Sequence, residues 1–166
     1  KRGVYFVMCR LSAVKKEDYP QLRALYRMYV REIRRLEEHV KPHETESELE
    51  SMDGRTDYFI VNDSNQIIGF ILLGFYPNSF SRHDIFIGEF YICPEYRRHG
   101  YGTDAVKELI KMYSEFDISM FVLKKNLGAK LFWNYVLSKY GYVERTRVGG
   151  IKARTKNCEW FYWVKA

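Results

Sequence analysis

Arg97, Arg98, Gly100, Tyr101, Gly102 and Thr103 stand together just past mid-chain. They combine two cationic side chains, main chain partly bare of Cβ, and residues that can open a helix. That is what a diphosphate needs. Glycine lets backbone N–H groups approach phosphate oxygens closely, and the first turn of a helix offers unpaired donors and a partial positive charge. The stretch before it, Ile85 to Cys93, is β-branched and aromatic and is stopped by Pro94, the pattern of a strand. Behind it, Val106, Leu109, Ile110 and Tyr113 recur at helical spacing. The unit is strand, phosphate loop, helix.

Two familiar phosphate loops do not fit. A P-loop requires Gly-Lys-Ser/Thr at the helix start, and here the chain reads Gly102-Thr103-Asp104. A dinucleotide fingerprint requires G-x-G-x-x-G early in a βαβ repeat, and this loop has two glycines late in the chain.

One carboxylate stands out beside the loop. Glu89 interrupts the apolar strand two residues before Tyr91 and four before Cys93, so strand alternation puts all three on one side. A partly desolvated carboxylate there suits general-base work. Cys93 also has a second reading, as an acyl-carrying nucleophile. No histidine is near it in sequence, and buried cysteine is ordinarily a small apolar filler.

Arg97-x-x-Gly100-x-Gly102 matches R/Q-x-x-G-x-G/A, and here the chain resembles the GNAT acyltransferases. Tyr91-Ile-Cys-Pro-Glu-Tyr-Arg97 is similar to the end of that family's fourth strand. Val122-x-x-x-Asn126-x-x-Ala129 is similar to its fifth strand entering the following helix. The specific part covers residues 85–142; from about residue 8 to the C-terminus the order of elements agrees.

The resemblance implies a single α/β domain over 8–166, with a mixed, mostly antiparallel sheet flanked by helices and splayed fourth and fifth strands. Residues 1–7 would be an upstream extension. It implies acetyl-CoA as cosubstrate, held by the main chain at Ile92 and Cys93, by Arg97, Arg98, Gly100, Tyr101, Gly102 and Thr103, by the Asn126 amide, and by Trp133. Helix capping is the other reading of Asn126. Some members carry a glutamate at the position of Glu89. A tyrosine that protonates the departing thiolate is common seven residues after the asparagine, where this chain has Trp133. Indole cannot supply that proton, which leaves Tyr140 and Tyr135 as candidate acids.

Composition bounds the rest. The 166 residues are 46% hydrophobic and 17% aromatic, enough for one substantial core. There is no apolar run of transmembrane length, and a soluble cytoplasmic protein is expected. Cys9, Cys93 and Cys158 are odd in number and widely spaced, and His39, His43, His83 and His99 are scattered, so neither a disulfide framework nor a metal is expected. The net charge of +6 is interspersed with acids and does not form a basic stripe, which argues against nucleic acid.

These parts need a frame to position them. The pattern predicts a strand at 8–13, then a helix capped by Asp18 that buries Leu22, Leu25, Tyr26, Tyr29, Ile33 and Leu36. Thr45 to Glu48 reads as a capping box opening a short second helix. Strands at 58–61 and 67–75 flank an Asn62–Asn65 turn, and a loop covers 76–84. After the phosphate-binding helix come a strand at 118–123, a helix at 128–139, and strands at 142–148 and 158–164.

The acids from Glu37 to Asp53 would attract a cationic amine such as a polyamine, an aminoglycoside or a lysine side chain. Trp160 to Trp163 would line the same cleft or an intersubunit surface, so a homodimer is an open expectation. The expected function is an N-acetyltransferase that moves acetyl from acetyl-CoA to a primary amine by direct attack in a ternary complex. The alternatives are a non-catalytic acyl-CoA-binding module and, behind it, a nucleic-acid-binding protein.

Overall fold

The computed structural model describes residues 8–38, 49, 55–75, 84–145 and 158–166, with backbone alone at 75 and 160. The predicted second helix, its capping box, the acids from Glu44 to Asp53, most of the 76–84 loop and the 1–7 extension lie outside them.

Among the described residues one seven-stranded sheet forms the frame, in the order β1-β2-β3-β4-β5-β7-β6. The strands are β1 (Cys9–Ala13), β2 (Arg55–Asn62), β3 (Ile67–Phe75), β4 (Asp84–Ile92), β5 (Asp117–Leu123), β6 (Tyr142–Glu144) and β7 (Cys158–Lys165). The helices are α1 (Tyr19–Leu36), α2 (Tyr101–Met112) and α3 (Leu127–Lys139). Neighbouring strands run antiparallel except β4 and β5, which are parallel. The Asn62–Asn65 turn forms as read, with Asn65 at φ +62° and its N–H on the Asn62 carbonyl at 3.0 Å.

The two sheet faces carry separate cores. On one, Ile85, Ile87, Ile118, Met120 and Trp163 pack with Val106 and Leu109 of α2 and with Trp133, Val136 and Leu137 of α3. On the other, Phe59, Phe70, Leu72, Tyr91 and Cys93 pack with Leu22 and Tyr26 of α1. Fully burying a side chain such as Leu22 stabilises by about 2 kcal/mol. Of the predicted α1 stripe, Leu22 and Tyr26 are buried, Leu25 and Tyr29 pack half-buried against that core, Ile33 is half-buried, and Leu36 is 37% exposed. Asp18 precedes α1 but makes no side-chain cap. Its Oδ2 accepts from the Lys15 N–H at 3.0 Å, so it closes the short 3-10 turn before the helix instead.

β4 and β5 bond only from Asp84↔Asp117 to Ile87↔Met120. Both strands then run on, to Ile92 and Leu123, without pairing to each other. At this fork the β3–β4 ladder skips a residue, with Leu73 opposite Ile87 and Leu72 opposite Glu89, so Gly88 is a bulge. The bulge changes which side chains face which core. Before it, Ile85 and Ile87 face α2 and α3; after it, Phe90 and Ile92 do.

Candidate active site

The bulge turns Glu89 toward α1, on the same side as Tyr91 and Cys93, as alternation predicts. Its side chain is buried at 6% exposure, two residues past the last β4–β5 pair. The Tyr29 hydroxyl, from the inner face of α1, donates to Glu89 Oε2. Burial, and after it the charge of Glu89, holds the Tyr29 phenol well above its ordinary pKa, so it stays protonated and keeps donating. Tyr26, Phe70 and Tyr91 box the ring at centroid distances of 5.8–5.9 Å. The spacing of α1 marks Tyr29 only as core. A buried phenol and a buried carboxylate each need a partner, which was the available signal, but only the topology matches them.

Cys93 and Ile92 divide their expected role. The Cys93 N–H donates to the Ile68 carbonyl of β3 at 2.8 Å. Successive residues of a strand direct their amides to opposite edges. It follows that the amides of Phe90 and Ile92 face the opening toward β5. The Ile92 and Phe90 amides are therefore open to the gap, and the Cys93 N–H is already used. Burial raises the Cys93 thiol pKa, and it lies in the α1 core as an apolar filler.

At the outer end of the fork the chain turns through Arg98 at φ +67° and Gly100 at φ +89° into α2. The left-handed φ at Gly100 is the conformation that glycine adopts without strain. Gly100 provides no capping side chain, and the first helical bond is from the Asp104 N–H to its carbonyl. The N–H groups of Tyr101, Gly102 and Thr103 therefore have no helical carbonyl to reach, and they form a donor cluster suited to phosphate oxygens. A Cβ on Gly102 would come within 3.2 Å of the Phe132 ring of α3, so that glycine also serves packing.

The two arginines of the loop differ. Arg98 is exposed. Arg97 makes a bidentate pair with Glu32 of α1 at 2.6 and 2.7 Å, donates from Nε to the Ile92 carbonyl at 2.7 Å, and lies over the Tyr91 ring at 5.4 Å. Its charge is matched within the fold.

Across the fork, Asn126 caps α3, its Oδ1 accepting from the Ala129 N–H at 3.0 Å. Its amide nitrogen has no part in the cap. Trp133 is buried at 5% exposure, edge-on to Phe90 with centroids 5.1 Å apart. The two candidate acids lie further along α3. Tyr135 is 61% exposed, on the side of α3 away from Trp133, with Lys139 Nζ 5.9 Å above its ring. Tyr140 is the C-cap of α3, about 20 Å along the helix from Asn126. Neither reaches the fork.

On the α1 side of β4, β5 and β7 lie further polar and aromatic groups. Phe86 and Phe121 meet edge to face at 5.7 Å. The Tyr162 hydroxyl donates to Asp117 Oδ2 at 2.7 Å and lies 3.4 Å from Asp84 Oδ1. Among the described residues no cluster of His, Cys, Asp and Glu could hold a metal.

The parallel pair thus forks beside an uncapped, glycine-started helix, with backbone donors open along one gap. The sequence model of the acetyltransferase (GNAT) family matches residues 21–135. The chain belongs to the GNAT acetyltransferases. It is therefore an acyltransferase whose acetyl donor is acetyl-CoA, and the forked sheet is the expected GNAT fold. No curated protein matches the chain. Among solved structures it is similar to spermidine N-acetyltransferase from Vibrio cholerae in complex with CoA and spermine, at 15% identity and TM-score 0.65, covering 95% of each chain. It is similar to an acetyltransferase from Thermus thermophilus at 15% identity and TM-score 0.65, covering 93% of this chain and 96% of that one. A GNAT-family acetyltransferase from Staphylococcus aureus has 17% identity and TM-score 0.63, covering 93% of this chain and 97% of that one. At these identities the likeness is one of fold.

Proposed function

We propose that this GNAT enzyme transfers acetyl from acetyl-CoA to a cationic primary amine by direct attack in a ternary complex, with Glu89 as the base. The observation that carries this reading is Glu89 itself. It is a buried carboxylate on the α1 face, at the base of the fork and beside the edge where the backbone donors open.

The donor lies along β4 in this reading. The N–H groups of Tyr101 to Thr103 meet its diphosphate, with Arg98 beside them, and the Asn126 amide nitrogen meets the pantetheine arm across the gap. The Phe90 and Ile92 amides bond the arm and the thioester carbonyl, where they stabilise the oxygen as it gains charge. Trp133 supports Phe90 from beneath and contributes shape, not a proton. Arg97 acts through the fold by holding the loop to α1.

The acceptor approaches from the α1 side, and its nitrogen gives up a proton to Glu89 during attack. The Asp84 and Asp117 carboxylates and the Phe86 and Phe121 rings on that side favour a positively charged, partly apolar amine. The bound spermine of the Vibrio cholerae structure is an amine of that kind.

Thiol release from acetyl-CoA across a panel of polyamines, aminoglycosides, amino acids and peptides tests the reading. Turnover is expected with the polycationic amines. Glu89→Gln keeps the shape and removes the base, so kcat should fall on the order of a hundredfold with acetyl-CoA affinity kept. Wild-type turnover by that variant would remove Glu89 from the reaction.

A further inference from the structure

Amide formation moves one proton from the amine to the leaving thiolate, and the fold puts no α3 hydroxyl at the fork. Trp133 is buried against Phe90, Tyr135 faces solvent, and Tyr140 ends the helix. We infer that Tyr29 completes the transfer, passing to sulfur the proton that Glu89 takes from nitrogen. The inference rests on Glu89 being the base.

Three observations support it. The Tyr29 hydroxyl already donates to Glu89. The Glu89 that it contacts lies two residues past the last β4–β5 pair, which puts the phenol at the base of the fork. Its ring is fixed by Tyr26, Phe70 and Tyr91, and one turn along α1 Glu32 holds the coenzyme loop through Arg97. One helix face thus positions both the relay and the loop.

The step balances. The amine lone pair forms the N–C bond, the C–S bond breaks with its electron pair on sulfur, and a carboxylate oxygen of Glu89 takes the nitrogen's proton. Tyr29 gives its O–H proton to sulfur and regains one from Glu89, which restores both side chains. A phenol held protonated is a poor acid by itself. In this exchange it only hands a proton on, and the net transfer runs from a carboxylic acid to a more basic thiolate.

Among the described residues, Tyr26 from α1, Tyr91 from β4 and Cys158 from β7 act on or pack against the phenol, and β3 presents Phe70 and Leu72.

Tyr29→Phe keeps the ring and removes the hydroxyl. Its kcat should fall about tenfold or more, with the KM for acetyl-CoA within about twofold. Losing a donor to the charged carboxylate should move the acid limb of the kcat–pH profile upward. A plot of kcat against deuterium fraction, curved for the parent enzyme, should become linear. A lower kcat with the limb and the curvature unmoved would mean that the hydroxyl only supports packing and would overturn the relay. So would a wild-type kcat in Tyr29→Phe beside an impaired Glu89→Gln. Wild-type turnover in Glu89→Gln would instead bring down the base assignment and the relay with it.

Discussion

Arg97 shows how a residue's type can be legible while its partner is not. Its place in the glycine motif reads as a phosphate ligand, and in the structure its guanidinium is bound to Glu32, Ile92 and Tyr91. The two roles make opposite predictions for Glu32→Gln. If Arg97 anchors the loop, weakening the pair loosens the cradle and the Kd for acetyl-CoA rises; a pair with 36% exposure on each side is worth about 1 kcal/mol, or roughly fivefold. If Arg97 meets phosphate itself, freeing it would tighten binding. Calorimetry should show the rise. Glu89 was legible because a charge in an apolar strand needs a reason. Tyr29 was not, because at helical spacing a tyrosine with a buried hydroxyl looks like any core residue.

The elements were read more completely than their junctions. Periodicity placed the strands and α1 to α3 within a few residues, since each buries a stripe in one of two cores. It could not show the Gly88 bulge, which depends on pairing with β3, or that Leu36 extends past the sheet. The α3 register was the largest gap. Trp133 packs edge-on to Phe90, Tyr135 is exposed, and Tyr140 ends the helix. Asn126 caps α3 and is proposed to meet the pantetheine arm, and variants can separate the two. Asn126→Asp preserves the cap and removes the amide donors, so thermal stability should hold while acetyl-CoA affinity falls. Asn126→Ala should lose affinity and also about 1 kcal/mol of stability, seen as a lower Tm.

At the scale of the whole molecule, the proposed arrangement has one sheet keep the two substrates on different faces. The donor would lie in the β4–β5 gap and the acceptor would come from the α1 side, to which one bulge turns Glu89. The fork was expected only from the family resemblance that the Arg97–Gly102 motif carries, and β4 and β5 do stop pairing after Ile87 and Met120. The acceptor was legible only as an expected cationic amine, since the side chains proposed to receive it come from segments distant in sequence. Hydrogen–deuterium exchange with and without acetyl-CoA tests the arrangement most directly. The account predicts slowed exchange at the Phe90 and Ile92 amides and at Tyr101 to Thr103, with Cys93 unchanged because its N–H is already bonded to β3. Binding that leaves those amides exchanging at their free rate would contradict it.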